Sequence, residues 1–431
     1  MSYLDFLERK QRLAPAQGRD IHADDIHPTL HEWQNRIVQW ACERGRAAIF
    51  ADCGLGKTFM QLEWARHMAD TSLIVAPLSV ARQTTREATK LGLDVRYVRT
   101  QDDVDGPGLW ITNYEMLERF DADLFGAVVL DESSILKNHT GKTRQRVIEQ
   151  WGRTPYRLAC TATPAPNDVT ELTNHAEFLG VMPRTEMLAA YFVHDQDGWR
   201  MKGHAVEAMH EWMASWAVAV RTPADIGGSD DGYILPPLNV KPSVVEHNES
   251  PEGQLFATDL GGVGGRASVR RSSLNARVER ATELVTRHPD DQWIIWCGLN
   301  DEASAIARAT PDAVNVDGSW DPDQKAEALE QFQDGRIRVL VTKISIAGFG
   351  MNFQNCHRMV FLGLGDSFEA YYQAVRRCWR FGQTEQVDAH IVVSDLEQQI
   401  VSNVARKQTQ TSETVELLVK YSPLTKEMQP S

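Results

Sequence analysis

A glycine-rich turn is the first segment of the chain with residues suited to chemistry. Residues 47–51 form a short apolar run, the turn at 52–58 reads Asp-Cys-Gly-Leu-Gly-Lys-Thr, and residues 59–69 favour a helix. In this order, backbone N–H groups and the helix N-terminus bind phosphate, while an ammonium group reaches the β and γ phosphates. The alternative is a glycine-rich turn that only caps a core helix. The predicted nucleotide-binding residues are Gly54, Leu55, Gly56, Lys57 (the ammonium group) and Thr58 (a hydroxyl for Mg²⁺).

Two adjacent acids follow another apolar run. Residues 127–130 predict a strand, and Asp131 and Glu132 come directly after it. Ligands of parallel sheets bind at the carboxyl ends of the strands, so both carboxylates would face a crevice there. Asp131 would hold Mg²⁺ and Glu132 would orient and deprotonate a water molecule. A solvated turn with two surface acids is the competing interpretation.

An arginine-rich segment lies near the C-terminal end of the chain. Gln373, Arg377 and Arg380 are spaced i, i+4 and i+7, which predicts one helical face. Two guanidinium groups that point the same way favour an anion opposite them, and arginines stabilise the charge that develops during phosphoryl transfer. The alternative is a solvated basic face that pairs with Glu369 or other acids.

Ten short apolar runs, five in each half of the chain, alternate with stretches long enough for helices. Such runs are typical of parallel strands buried on both faces, so the pattern predicts an α/β protein with two doubly wound sheets. The region 167–292 between the two sets has a different composition, and its glycine cluster at 261–265 predicts a hinge or exposed loop. The runs are residues 47–51, 73–77, 109–112, 127–130, 157–161, 293–297, 313–316, 337–342, 359–363 and 388–393.

The composition limits the class of protein. The 431 residues include 45 Lys and Arg against 59 Asp and Glu, a formal net charge of −14, which argues against non-specific coating of nucleic acid by a basic surface. The six cysteines lack zinc-finger or disulfide-framework spacing. The N-terminal residues do not predict a secretory signal, and no run reaches 18 uncharged apolar residues. We therefore expect a cytoplasmic protein, in a host cell's cytoplasm if a phage encodes it.

The order of these motifs resembles that of superfamily 2 nucleic-acid-dependent ATPases of the Swi/Snf-like branch, and in particular the compact DEAD/DEAH-type helicases of bacteriophages and bacteria. The resemblance covers about residues 28–405. Ser133 and Ser134 depart from it, because the family often has His at the second of these positions. The matching segments are Gln34, 51–58 (motif I), 73–77 (Ia), 111–115 (Ib), 131–138 (II), 161–164 with Asn167 (III), 293–298 (IV), 345–352 (V) and 373–383 (VI).

The resemblance implies two RecA-like domains, each an α/β fold of parallel sheet and flanking helices, with a small helical insertion between them. ATP would bind between the domains with Mg²⁺. It implies catalytic roles for Lys57, Asp131, Glu132, Arg377 and Arg380. The expected boundaries are 1–27 (N-terminal helical extension), 28–180 (domain 1), 181–265 (insertion and linker), 266–405 (domain 2) and 406–431 (tail). Further implied roles are ATP binding by Gln34, Gly350 and Gln373, and coupling by Thr161, Ala162 and Thr163.

The resemblance also implies a nucleic-acid face with few charges. Its candidates are Pro77, Ser79, Thr112, Ser345, Arg270 and Arg271. The arginines between 266 and 280 equally fit an amphipathic helix balanced by Glu279 and Glu283. Trp199, Trp212 and Trp216, expected in helices, would either stack on bases or, as the default, lie in the core.

The sequence therefore predicts an ATP-dependent translocase or helicase acting on single- or double-stranded DNA, with RNA less favoured as a substrate. Replication or recombination proteins of a phage or host are the expected partners, and no membrane is involved. Two alternatives stay open: the motor subunit of a restriction or recombination assembly with a separate nuclease, and a nucleotide-gated DNA-binding module without productive unwinding.

Overall fold

A computed structural model describes residues 13–138, 140–196, 198–246, 270–347, 351–365 and 367–426. The chain forms two units. The first unit comprises Met1–Asp231 and Thr409–Ser431, and the second comprises Gly232–Gln408. No helix in the described ranges is long and apolar enough to cross a membrane.

The first unit is built on a parallel sheet of seven strands in the order β3-β4-β2-β5-β6-β1-β9. Its strands are β1 (Arg46–Ala51), β2 (Thr71–Ala76), β3 (Val95–Tyr97), β4 (Gly108–Asn113), β5 (Ala127–Asp131), β6 (Tyr156–Cys160) and β9 (Ala217–Val220), and β7 (Phe192–Asp195) and β8 (Gly198–Met201) form a separate antiparallel hairpin. Its helices are α1 (Glu32–Arg44), α2 (Lys57–Met68), α3 (Leu78–Lys90), α4 (Lys142–Trp151), α5 (Leu172–Leu179), α6 (Arg184–Tyr191) and α7 (Val206–Met213).

The second unit has a parallel sheet of six strands in the order β10-β15-β14-β11-β13-β12. Its strands are β10 (Leu238–Val245), β11 (Trp293–Cys297), β12 (Ala313–Val316), β13 (Val339–Lys343), β14 (Arg358–Leu362) and β15 (Val387–Ser394). Its helices are α8 (Leu274–Thr286), α9 (Asn300–Ala309), α10 (Pro322–Gln333), α11 (Ile344–Ala347) and α12 (Phe368–Cys378); α13 (Gln398–Tyr421) continues into the first unit and α14 (Pro423–Lys426) follows it.

The central strands are buried because their residues are apolar on both faces. β5 is buried over its whole length, and so is β11. A strand that is covered on both sides needs no polar alternation, which is why continuous apolar runs predicted these elements correctly. All ten predicted strands are present, and the α/β fold of two parallel sheets flanked by helices is confirmed.

The region expected to be a helical insertion is different in the structure. β9 pairs with β1 and extends the first sheet, while β10 pairs with β15 and belongs to the second unit. The division between units therefore falls after Asp231, whereas the sequence predicted that the second domain begins at residue 266. β9 was missed because the region around it was predicted to be helical, whereas its place in the sheet depends on pairing with β1, far away in sequence. The glycine cluster at 261–265 lies outside the described residues.

The expected C-terminal tail is also part of the fold. Residues from Thr409 onward belong to the first unit, and Leu418 and Val419 are buried in its core. The Thr411 hydroxyl donates to the Ala165 carbonyl at 3.4 Å. Apolar burial together with this hydrogen bond therefore attaches the C-terminal part of α13 to the first unit.

Candidate active site

The glycine-rich turn connects β1 to α2 as predicted. Gly54 and Gly56 have φ angles of 88° and 75°, in the left-handed region that favours glycine. The Lys57 ammonium group donates to the carbonyls of Ala51 at 2.7 Å and Asp52 at 3.1 Å. Because Gly56 is the N-cap residue of α2, the turn presents N–H groups at the positive end of that helix dipole.

Gln34 lies directly against this turn. Its side-chain amide donates to the Leu55 carbonyl at 2.9 Å and accepts from the His31 N–H at 2.9 Å. A Cβ atom at Gly56 would come within 2.4 Å of Gln34 Nε2, so the glycine is required for this close packing. The structure therefore brings Gln34 and the glycine-rich turn together, although 20 residues separate Gln34 from Leu55 in sequence.

The acid pair lies at the carboxyl end of β5. Asp131 is buried, and its carboxylate accepts from the Glu132 N–H at 3.1 Å. Burial and the neighbouring Glu132 carboxylate raise the pKa of Asp131 to about 7, although Gln61 and Lys57 act in the opposite direction. This burial excludes the alternative of a solvated turn for Asp131.

Glu132 has an unusual backbone conformation. Its φ of 54° and ψ of 54° lie in the left-handed region, which costs a non-glycine residue of order 1–3 kcal/mol. The Thr161 hydroxyl, which follows β6, donates to Glu132 Oε2 at 3.5 Å, and it also accepts from the Thr163 N–H at 3.1 Å. Two of the three predicted coupling residues, Thr161 and Thr163, are thus linked to the acid pair, and Ala162 lies between them.

Helix α5 holds the segment that follows Glu132, a feature that the sequence did not predict. The segment is a 3-10 helix, Ser133–Lys137. Asn174 Nδ2 donates to the carbonyls of Leu136 at 2.8 Å and Lys137 at 3.1 Å, and His175 Nε2 lies 3.1 Å from Ser133 Oγ. The sequence carries no local signal for these contacts, because Asn174 and His175 bond to partners 37 to 42 residues away.

In the second unit, the arginine segment is partly as predicted. Gln373 and Arg377 are buried in α12, where Arg377 Nη2 donates to Gln373 Oε1 at 2.9 Å and Nη1 donates to the Met351 carbonyl at 3.1 Å. The helix ends at Cys378, so Arg380 does not continue the same helical face, and its guanidinium group bonds to Asn352 Oδ1. Gly350 lies outside the described residues.

A cavity of about 300 Å³ lies at the carboxyl ends of β11, β13 and β14 in the second unit. Lys343, exposed Ser345 and Arg270 line it, and Arg270 Nε donates to Glu397 Oε1 at 3.0 Å. Arg271 is exposed. The polar and cationic lining, at the edge where parallel sheets bind ligands, fits an anion.

Other nucleic-acid candidates have different surroundings. Thr112 is fully buried and its hydroxyl donates to the Val98 carbonyl at 2.8 Å, which contradicts its prediction as a contact. Arg280 pairs with Glu283, as the amphipathic alternative requires, whereas Arg277 forms a buried ion pair with Glu302 at 2.8 Å, an acid that this alternative did not include. Pro77 is the half-buried N-cap residue of α3, and Ser79 lies in the first turn of that helix.

The three tryptophans also differ from one another. Trp212 and Trp216 are buried in the core of the first unit, as the default interpretation predicted. Trp199 lies in β8, not in the expected helix, and is 39% exposed. Of these three tryptophans, Trp199 is therefore the one whose ring is exposed enough to stack on a base.

The acid pair and the turn also suit a magnesium nucleotide. Within the described ranges, no group of three or more His, Cys, Asp or Glu side chains is arranged to hold a metal ion. Mg²⁺ in nucleotide sites takes only one or two protein oxygens and completes its shell with phosphate and water. A buried carboxylate whose pKa is raised to about 7 gains from a nearby cation, so Asp131 and Thr58 fit this ion.

Two family models match the chain. The model described as "SNF2-related domain" matches residues 29–192, and the model described as "Helicase conserved C-terminal domain" matches residues 276–382. The first match contains the glycine-rich turn and the acid pair, and the second contains Arg377 and Arg380. The chain therefore contains an SNF2-related domain followed by a helicase C-terminal domain, the two-domain arrangement of nucleic-acid-dependent ATPases with two RecA-like domains.

One curated relative is the mouse protein named "DNA annealing helicase and endonuclease ZRANB3". It is 21% identical over 425 residues, which cover 87% of this chain and 40% of that protein. The solved structure titled "Sulfolobus solfataricus SWI2/SNF2 ATPase core in complex with dsDNA" is 18% identical, with 95% of this chain and 97% of that chain covered. Its TM-score of 0.45 is too low to support a conclusion.

Proposed function

We propose that this ATPase is a DNA translocase or helicase, and that ATP hydrolysis moves it along a DNA strand. The observation that carries the proposal is the connected set in the first unit, where Gln34 contacts the glycine-rich turn and Thr161 contacts Glu132. This set combines nucleotide binding with a route from the acid pair to the segment that follows β6. We also propose that the chain is one of the compact helicases of bacteriophages and bacteria that its motifs resemble.

In the first unit, the turn would bind the ATP phosphates through backbone N–H groups and the Lys57 ammonium group. Gln34 would contact the adenine base, since its amide already borders the turn. Thr58 and Asp131 would hold Mg²⁺, which neutralises charge on the β and γ phosphates. Glu132 would orient and deprotonate the attacking water, with Thr161 holding its carboxylate.

In the second unit, Arg377 and Arg380 would stabilise the charge that develops on the γ phosphate, and Gln373 and Gly350 keep their proposed role in ATP binding. The bonds from Arg377 to Gln373 and the Met351 carbonyl fix the guanidinium plane. Arginines on one domain and phosphate-binding groups on the other would make nucleotide binding favour one arrangement of the two domains. ATP would then bias a two-state hinge.

DNA is proposed as the track because the name of the mouse relative describes it as a DNA annealing helicase. Lys343, Ser345 and Arg270 at the second-unit cavity, with Arg271, Pro77 and Ser79, are the proposed phosphate contacts. Contacts of this kind do not read sequence. With few cations involved, we expect a shallow dependence of affinity on salt concentration.

The test is phosphate release with no nucleic acid, single-stranded DNA, duplex DNA, forked DNA and RNA. DNA should stimulate the rate. Lys57→Ala and Glu132→Gln should each remove the stimulated rate, the second by roughly 10²–10⁴-fold because a general base contributes that much. The exposed residues Lys90 and Glu186 provide matched controls as Lys90→Ala and Glu186→Gln, which should hydrolyse ATP at the wild-type rate.

The same assay distinguishes the alternatives. Equal rates of phosphate release with and without every nucleic acid would contradict the motor function. Stimulation by RNA alone would show that the track is RNA and not DNA. Strand displacement and triplex displacement would then separate unwinding from translocation. A motor subunit would displace triplex strands without unwinding a fork, whereas a nucleotide-gated module would bind DNA and do neither.

A further inference from the structure

The turn at Glu132 is held from two sides. Its left-handed backbone is strained, so neighbouring contacts must maintain it. Thr161 contacts the Glu132 side chain from one side. On the other side, the residue after Glu132 is Ser133, which is fully buried and bonds to His175.

His175 is placed to act on this turn through Ser133. It is fully buried in α5, and its ring packs edge-on against Phe50 of β1 with centroids 5.3 Å apart. Burial lowers the pKa of His175 to about 4, with the Glu171 main chain acting in the opposite direction, so the ring is neutral at neutral pH. A neutral imidazole and a hydroxyl form a bond that requires no counter-ion.

The rest of α5 makes the contact rigid. The preceding residue, Asn174, donates to two carbonyls at the end of the same 3-10 helix, and it accepts a bond from Arg144 Nε at 3.2 Å. The helix is thus fixed to the acid-pair segment at both ends of that segment. Only the His175 contact, however, reaches the residue adjacent to Glu132.

We propose that His175 is a positioning residue for ATP hydrolysis, which orients Glu132 through its hydrogen bond to Ser133. The proposal rests on the proposed role of Glu132 as the residue that activates water. It predicts that loss of the bond slows the hydrolysis step while ATP binding at the glycine-rich turn is retained, because the turn has its own contacts to Gln34 and Lys57.

The decisive variant is His175→Phe, which keeps an aromatic ring beside Phe50 and removes the bond. We expect kcat with saturating DNA to fall by roughly ten- to a hundredfold, since small misplacements of a reacting group have effects of this size. The Kd of a fluorescent ATP analogue should stay within about twofold of wild type, because the variant leaves the glycine-rich turn unchanged. The midpoint of thermal unfolding should stay within about 3 °C of wild type, because the main effect of the variant is on the orientation of Glu132. His175→Gln retains a side-chain amide that can donate to or accept from Ser133 Oγ, and it should recover most of kcat.

Two further variants keep the test decisive. Ser133→Ala should reproduce the loss, and the double variant should lose no more than either single one, because the two residues act through one bond. His210→Phe is the matched control, since His210 is equally buried in the first unit but bonds to the Val206 carbonyl. It should keep the wild-type kcat.

The outcomes separate this inference from the proposed function. Wild-type kcat in Ser133→Ala, additive losses in the double variant, or equal losses in kcat and ATP affinity would overturn the role of His175. If His175→Phe does not fold, Ser133→Ala and His175→Gln still decide the matter. An active Glu132→Gln enzyme would instead contradict the proposed role of Glu132 itself.

Discussion

The two units hold charge in opposite ways. In the first unit, the candidate site concentrates two carboxylates at one strand end, and burial raises the pKa of Asp131 to about 7. In the second unit, the Arg377 guanidinium group is buried and bonded to neutral acceptors, namely Gln373 and the Met351 carbonyl. A nearby cation would favour the ionised form of Asp131, and an anionic ligand would be attracted by the Arg377 guanidinium group.

Under the proposed function, the cation of a magnesium nucleotide would bind in the first unit, and the arginines of the second unit would act on its phosphates. Asp131 favours a cation, whereas Arg377 favours an anion, and a magnesium nucleotide supplies one of each. The cost of keeping a charge buried is recovered only when its ligand binds. Variants that change one charge at a time therefore test whether the two units contribute different parts of the reaction.

The largest effect is expected from Arg380→Ala. If this guanidinium group stabilises the transferring phosphoryl group, the DNA-stimulated kcat should fall by about 10³-fold, as removal of such an arginine commonly does. ATP affinity should change little. Phosphate release and binding of a fluorescent ATP analogue measure the two quantities. Arg336→Ala, at an exposed arginine of the same unit, is the control, and an unchanged rate in Arg380→Ala would contradict the proposed role of Arg380.

The next prediction concerns Asp131 of the first unit and the pH dependence of the free energy of unfolding. Because burial raises the pKa of Asp131, the folded chain binds a proton that the unfolded chain releases near pH 4, so this residue lowers stability as the pH rises from about 4 to about 7. Asp131→Asn removes this titration. Without nucleotide or metal, we expect the variant to be more stable than wild type at pH 8, on the order of a few kcal/mol, and close to wild type near pH 4.

Urea unfolding at the two pH values measures this difference. Asp20→Asn, at an exposed acid of the first unit, should match wild type at both. An Asp131→Asn variant less stable than wild type at pH 8 would show that the folded state stabilises the ionised carboxylate, and the contrast between the units would then fail.

The sequence was sufficient to predict the structure where the chain forms a motif or a continuous apolar run. The glycine-rich turn, the acid pair and all ten predicted strands are present because each is determined by neighbouring residues. β9 and β10 were missed, since their place depends on partners far along the chain, β1 and β15. The bond between Ser133 and His175 joins residues 42 apart, and no local pattern encodes such a contact.

A smaller effect is expected at the link between Thr161 and Glu132. Thr161→Val keeps the shape of this fully buried side chain and removes its hydroxyl, so Glu132 Oε2 and the Thr163 N–H each lose a partner. The DNA-stimulated kcat should fall by about tenfold, which corresponds to about 1.4 kcal/mol. Thr161→Ser retains the hydroxyl and should keep the stimulated rate. Equal rates of ATP hydrolysis in the two variants would show that the Thr161 hydroxyl does not contribute to the DNA-stimulated reaction.

The smallest effect concerns how each unit would contact nucleic acid. Trp199 offers a half-exposed ring whose neighbour, His194, lies edge-on at 4.9 Å between centroids, whereas Lys343 offers a cation at the second-unit cavity. Trp199→Ala should weaken single-stranded DNA binding by about fivefold without changing its salt dependence, because stacking releases no counterions. Lys343→Ala should instead reduce the salt slope by about one. Fluorescence anisotropy at several salt concentrations measures both, and Trp199→Phe, which keeps an aromatic face, is the control. If Trp199→Ala binds DNA as tightly as wild type, base stacking by Trp199 is excluded.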